Sequence, residues 1–123
     1  MQRIYDQGLL DGDPERLLDL MGPDVEYVNP QEAVDPGTRR GREEVAKALT
    51  ALGDFDWTSN DLHELFDAGD SVVAQVTFRA RSRRSEHQLA QDEAHTWTVR
   101  DGRIVRFEWG RDLTTALDAA GPT

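Results

Sequence analysis

The chain has 123 residues and no cysteine. That absence excludes a disulfide framework, a thiolate zinc site and a cysteine nucleophile, and it fits a reducing, cytoplasmic location. Lysine is almost as scarce. Lys47 is the single one, on the polar side of a predicted helix, so Schiff-base chemistry has one poorly placed candidate. No apolar run approaches the roughly 18 residues that a membrane span requires, and Met1–Asp6 lacks the apolar core of a signal peptide. A soluble, non-exported protein with no membrane partner is expected. Positive charge is outnumbered, 14 Lys and Arg against 24 Asp and Glu, for a net charge of -10. Such a field repels a phosphate backbone, so no nucleic-acid partner is expected. There is no glycine-rich phosphate loop, nucleophile elbow or dinucleotide fingerprint, and no cofactor is expected. His63, His87 and His95 show no helical i, i+4 pairing. Zinc needs three or four converging ligands, and no metal site is expected.

What is present reads as one domain, residues 1–123, with no repeat, low-complexity tract or linker. Met1, Ile4, Tyr5 and Leu9 form a helical stripe over Met1–Leu10, broken by Gly12. Asp13-Pro14 then starts a helix as N-cap and N1, and Gly22-Pro23 stops it. Val25–Val28 is a short strand, Asn29–Gly37 a loop, and Gly41–Leu52 a third helix with Val45, Ala48, Leu49 and Leu52 on one face. From Phe55 the period falls to two. Trp57–Phe66 is a poorly patterned strand, and Ser71–Ser82 is the clearest one. In it Val72, Ala74, Val76, Phe78 and Ala80 face one way, and Gln75, Thr77, Arg79 and Arg81 the other. His87–Arg100 and Arg103–Gly110 flank Asp101-Gly102, a strong signal for a two-residue type I′ hairpin. Thr114–Ala120 closes the chain as a short helix.

Helices first and antiparallel strands after make an α+β fold. A sheet with one apolar face must be covered, and the expected product is a cone. A curved, largely antiparallel (mixed) sheet wraps around the N-terminal helices, over a long helix, as a cystatin-like α+β barrel with a cavity between.

Five segments carry a resemblance to a known family: the helix Met1–Leu10, GDPERLLDLMGPDVEYVNP (12–30), GREEVAKAL (41–49), FDAGDSVV (66–73) and AHTWTVRDGRIVRFEWGRD (94–112). In this order they resemble the nuclear transport factor 2-like superfamily, and within it the SnoaL-like polyketide cyclase and ketosteroid isomerase-like group. Each segment is weak alone; as an ordered set they are specific for the fold and unspecific for the activity. The group includes isomerases, cyclases, hydratases, epoxide hydrolases and non-catalytic modules. The resemblance implies a pocket inside the cone, with a carboxylate base and hydroxyl or imidazole donors for an enolate-like oxyanion. It implies a base on the last strand, where this chain carries Trp109, and a histidine on the strand before, matched by His95. Asp112, three residues after Trp109, is the carboxylate left to take the role.

An uninterrupted hairpin pairs His95 with Glu108 and Trp97 with Arg106 on one face, as an ion pair and a cation–π contact. It puts Thr96–Phe107 and Ala94–Trp109 on the other, more apolar face, which is expected to line the cone. A bulge exchanges these assignments, so His95 stands inside or outside according to a register that residue pattern leaves open. The candidate catalytic residues are Asp112 as base, with His95 and Tyr27 as donors; just before Leu113-Thr114-Thr115, Asp112 is also a good N-cap, the commoner use of such a residue. The candidate ligand-binding residues are Asn29, Trp57, Phe107, Trp109 and Tyr5. Tyr27 and Asn29 share a strand face, and the aromatics serve as walls or as core. Glu32 and Asp35 lie in a loop within reach of the opening. Arg79, Arg81 and Arg83 form a stripe, read as a solvated or dimer-contacting face rather than an anion site. The expected occupant is a small apolar or aromatic molecule, and the expected assembly a homodimer joined through the outer sheet face. The expected activity is cofactor-free isomerisation, cyclisation or dehydration of a carbonyl compound; the alternative is a non-catalytic binding or dimerisation module.

Overall fold

The computed structural model describes residues 2–33, 36–50, 55–82 and 87–120. Along the chain run α1 (Gln2–Asp6), α2 (Leu9–Gly12), α3 (Pro14–Asp19), β1 (Met21–Asn29), β2 (Gly37–Arg40), α4 (Arg42–Thr50), β3 (Phe55–Ala68), β4 (Ser71–Ser82), β5 (Gln88–Arg100), β6 (Arg103–Gly110) and α5 (Leu113–Ala120). The strands form one six-stranded mixed sheet in the order β2-β1-β6-β5-β4-β3. Only β1 and β6 run parallel; the other neighbours are antiparallel. The fold is the α+β cone, with the sheet left open at β2 and β3 rather than closed into a barrel.

The opening helix breaks earlier than the stripe predicts. Gly8 adopts a left-handed φ of 62°, which a residue with a Cβ disfavours, and α1 and α2 diverge there. Gly12 is the last residue of α2. The cone is therefore covered by short helices, not by one long one. Asp13 caps α3 as its sequence requires, accepting the Arg16 backbone N–H at 3.3 Å, with Pro14 at N1. That helix ends before Gly22-Pro23, which lie inside β1. Proline is tolerated there because the β1–β6 ladder is irregular between Met21 and Glu26, and β2 pairs with β1 only from Glu26 to Asn29. The Asn29–Gly37 loop is followed by an unforeseen short strand, β2. Leu52 lies outside the described residues.

Leu17, Met21, Val25 and Val45 are at most 1% exposed. Each buried side chain of this size stabilises by about 1.5–3 kcal/mol relative to exposure. With Ile4, Leu9, Trp97 and Phe107 they form the core between helices α1–α4 and one sheet face. One face of β4 is buried as expected at Ala74, Val76 and Ala80, but Val73 and Thr77 of the opposite face are buried as well. The amphipathic α5 packs on β4 and β5 from the opposite face.

Asp101 and Gly102 take φ of 51° and 77°, the two left-handed residues of a type I′ turn. Arg100 pairs with Arg103 and Val99 with Ile104, as the turn dictates. The register then shifts, and Thr98 meets Arg106, leaving Val105 as the extra residue of a β-bulge. Beyond it Trp97 pairs with Phe107, Thr96 with Glu108 and His95 with Trp109. The uninterrupted pairs His95–Glu108 and Trp97–Arg106 do not form. His95, Trp97, Phe107 and Trp109 instead share the inner face. Arg106 and Glu108 share the outer one and lie 3.4 Å apart.

Candidate functional site

Alternation along β5 places Gln91, Glu93, His95 and Trp97 on the face that looks into the cone, and the bulge turns Phe107 and Trp109 of β6 onto the same face. Their polar atoms form one connected chain. Gln91 Nε2 donates to Glu93 Oε2 at 2.8 Å. Glu93 Oε1 lies 2.9 Å from His95 Nε2. His95 Nδ1 lies 2.8 Å from the Tyr5 hydroxyl, which accepts the indole N–H of Trp97 at 2.8 Å. The side chains of His95 and Glu93 are 3% and 9% exposed, so water competes weakly for these bonds. Tyr5 reaches across from α1 and stacks on the imidazole, ring centroids 5.9 Å apart at 21°. Phe107 closes the other side, 5.2 Å from the His95 ring and 4.4 Å from Trp97.

A cavity of about 630 Å³ lies between this face and the helices. Glu93, His95, Tyr27, Asn29, Phe107 and Trp109 line one part of it, and Leu10, Leu49, Ala48, Phe78 and Leu89 supply apolar wall. Tyr27 stands 5.1 Å from Phe107, ring to ring. Burial, reinforced by the negative charge of Glu93 and opposed by Arg39, pushes its phenol from 10.0 to about 12. It is thus a hydrogen-bond donor at neutral pH. Asn29 Oδ1 accepts the Trp109 indole N–H at 2.6 Å, which fixes the ring as a wall. Charge enters as Arg39, Lys47 and Arg111 against Glu32, Glu44 and Glu93. A mostly apolar hollow with a few convergent polar groups is the usual form of a small-molecule site.

Residues 1–107 match the SnoaL-like domain family. The chain belongs to that family. Among solved structures, this SnoaL-like domain is similar to a nuclear transport factor 2-like protein from Burkholderia thailandensis, with 27% identity, TM-score 0.77, and 98% of this chain and 92% of that one covered. It is similar to TerC, co-crystallised with polyporic acid, with 25% identity, TM-score 0.72, and coverage of 97% and 90%. A protein of ketosteroid isomerase-like fold from Catenulispora acidiphila, in complex with trimethylamine, shares 18% identity and the fold, with TM-score 0.77 and coverage of 98% and 92%. No curated protein sequence matches the chain.

Of the sequence candidates, Tyr27, Asn29, His95, Phe107 and Trp109 converge on the cavity. Tyr5 stands behind His95 and contacts it. Trp57 does not join them. It pairs with Arg81 on the outer sheet face and is 41% exposed, while Asn60, of opposite parity on β3, faces the cavity. Asp112 is not placed as a base for this cavity. It is exposed and caps α5, accepting the Thr114 N–H at 3.0 Å and the Thr115 hydroxyl at 2.7 Å. The Thr115 hydroxyl and the helix amides hold its carboxyl below the ordinary value, the reverse of what proton abstraction near neutral pH requires. It borders a separate cleft of about 400 Å³ between α5 and the outer sheet face. Glu32 borders both hollows. Arg79 pairs with Asp61 at 2.8 Å on the outer face; Arg83 and Asp35 lie outside the described residues.

Glu93 and Gln91 escaped the sequence reading. The signal was present: residues 91, 93, 95 and 97 share a parity with Trp97, and a tryptophan on a central strand marks the face with the greater claim to burial. Among the described residues no group of three or more histidines and carboxylates converges as a metal site requires, and no helix is long and apolar enough to cross a membrane.

Proposed function

We propose that the cavity binds a small, hydrophobic, carbonyl-bearing molecule and that Glu93 acts on it as general base, without a cofactor. The observation that carries this reading is a nearly buried carboxylate, aligned by two hydrogen-bond donors, in the wall of a cavity of about 630 Å³. A carboxylate oxygen of Glu93 removes a proton from the carbon next to the carbonyl. The C–H electron pair forms the enolate double bond, and the carbonyl π pair moves onto oxygen. Tyr27, protonated at neutral pH, donates to that oxyanion. The enolate then recovers the proton at another carbon, attacks a second carbonyl, or expels a β-hydroxyl as water using the proton held by Glu93. These outcomes are isomerisation, cyclisation and dehydration. Phe107 and Trp109 serve as walls. That TerC, 25% identical, was co-crystallised with polyporic acid supports a small-molecule ligand for this chain. A homodimer joined through the outer sheet face, where Trp57 is exposed, belongs to the same proposal; sedimentation equilibrium reads it directly.

A second reading is a non-catalytic ligand-binding module. It is favoured by one feature: both Glu93 oxygens already accept hydrogen bonds, which satisfies a buried carboxylate whether or not it reacts. Turnover of a panel of steroid, polyketide and terpenoid ketones by the native chain and by Glu93→Gln separates the two. Loss of about 10²–10⁴-fold in kcat with ligand binding retained supports the base. Binding without turnover by the native chain supports the module.

A further inference from the structure

We infer that Tyr5 and Trp97 lock His95 in a single neutral tautomer, with the proton on Nε2, and that the three residues together position Glu93. The directions follow from donor chemistry. An indole N–H donates and never accepts. The Trp97 N–H is aimed at the Tyr5 oxygen, 2.8 Å away, so that oxygen is the acceptor there. Glu93, as a carboxylate, can only accept, so His95 Nε2 is the donor in their contact; in a neutral imidazole Nδ1 is then the acceptor, and the Tyr5 hydroxyl proton fills the 2.8 Å contact with it. Nδ1 accepts, and the proton of the neutral imidazole sits on Nε2, 2.9 Å from Glu93 Oε1. The chain runs in one sense, Trp97 to Tyr5 to His95 to Glu93, and the carboxylate is its terminal acceptor. Gln91 donates to the other oxygen from the opposite side. Placing the proton of a neutral imidazole on Nδ1 instead would require Glu93 to be protonated and to donate to Nε2.

The rings fix this sense mechanically. Trp97 is fully buried and His95 is 3% exposed, and the imidazole is held between Tyr5 and Phe107. Both of its nitrogens are engaged, so His95 is a positioning residue and does not itself donate to a ligand. The use of the lock rests on Glu93 being the reacting carboxylate; the lock itself does not.

The test reads the imidazole directly. Heteronuclear NMR of nitrogen-labelled histidine in the native chain, with the His95 signals assigned by their loss in His95→Gln, reports which ring nitrogen is protonated at neutral pH. The expected spectrum shows one tautomer, a protonated Nε2 and a hydrogen-bonded, unprotonated Nδ1. Tyr5→Phe removes the donor to Nδ1 and is expected to shift the Nδ1 signal to that of an unprotonated nitrogen without a hydrogen bond. A native spectrum with the proton on Nδ1, or on both nitrogens, overturns the inference, as does a Tyr5→Phe spectrum identical to the native one. If Tyr5→Phe does not fold, the native spectrum still decides. Glu93→Gln turnover bears on the base alone, so failure of the catalytic reading and failure of the lock are told apart.

Discussion

His95 on β5 stands opposite Trp109 on β6. One residue, Val105, is responsible. Between the Val99–Ile104 and Thr98–Arg106 pairs it adds a step to β6 that β5 lacks, and every side chain beyond it changes face relative to its partner strand. The bulge is what allows Trp97 and Phe107 to share the core and His95 to share the cavity with Trp109.

Deleting Val105 is therefore expected to damage far more than a conservative change at that position. With the register restored to an uninterrupted hairpin, either Trp97 and His95 or Phe107 and Trp109 must turn outward. Losing Phe107 from the core alone compares with a Phe→Ala change, about 3–5 kcal/mol, against a total stability of about 5–15 kcal/mol for a typical domain. Denaturant unfolding followed by tryptophan fluorescence measures it. The expected result is a midpoint lowered severely or a cooperative transition lost, with Val105→Thr close to native. A deletion variant as stable as the native chain would show that the bulge does not set the inner face.

Much of the fold was legible because local chemistry has few solutions. Asp101-Gly102 supplies the two positive φ values of its turn, Asp13-Pro14 starts α3, and Val72, Ala74, Val76, Phe78 and Ala80 share one face of β4. The bulge was not legible, since Ile104 and Val105 are both β-branched and apolar and suit either face. The stripe marks the break at Gly12, which ends α2, but not the earlier one at Gly8, which the left-handed φ of that residue makes. Trp57 has the size of an inner-face aromatic, yet its parity on an edge strand puts it on the outer face. Phe107 and Trp109 stand out as cavity aromatics, whereas Glu93 is legible only through its parity with Trp97 on β5.

Tyr27 should ionise well above an ordinary tyrosine. Desolvation comes first among the causes, with the Glu93 charge next, and together they raise the phenol from 10.0 to about 12. The chain has two tyrosines, so alkaline titration of phenolate absorbance is readily assigned by comparison with Tyr27→Phe. The raised value means that the folded state favours the neutral phenol. Its contribution to stability is complete below pH 10.0 and is lost as pH rises through about 12. An ordinary titration of Tyr27 would remove the physical basis for a desolvated oxyanion donor.

Asp112→Ala is expected to lower the melting temperature modestly and to leave ligand binding in the cone unchanged. The carboxylate caps α5, and Asp112→Asn should restore most of the loss because asparagine caps about as well. The lowered folded-state value sets the sign of the pH dependence: the charge-dependent contribution is present above the ordinary 3.8 and disappears as pH falls through the folded-state value. Thermal melts at neutral and strongly acidic pH measure this. The native and Ala curves should be separated at neutral pH and draw together in acid. A large loss of ligand binding in Asp112→Ala, with the melt unaltered, would instead return Asp112 to the site.

Two glycines distinguish backbone conformation from space. A Cβ built on Gly102 or on Gly110 meets no heavy atom within 4 Å. Gly102 has φ of 77°, inside the left-handed region, whereas Gly110 does not adopt a positive φ. Gly102→Ala is thus expected to cost about 1–2 kcal/mol from conformational strain alone, while Gly110→Ala should be near neutral or slightly stabilising, since alanine restricts the unfolded chain. Urea unfolding of the two variants side by side supplies the comparison. Equal effects would mean that the turn relaxes to a conformation alanine accepts, and the register that begins at Arg100–Arg103 would no longer be held by the type I′ turn.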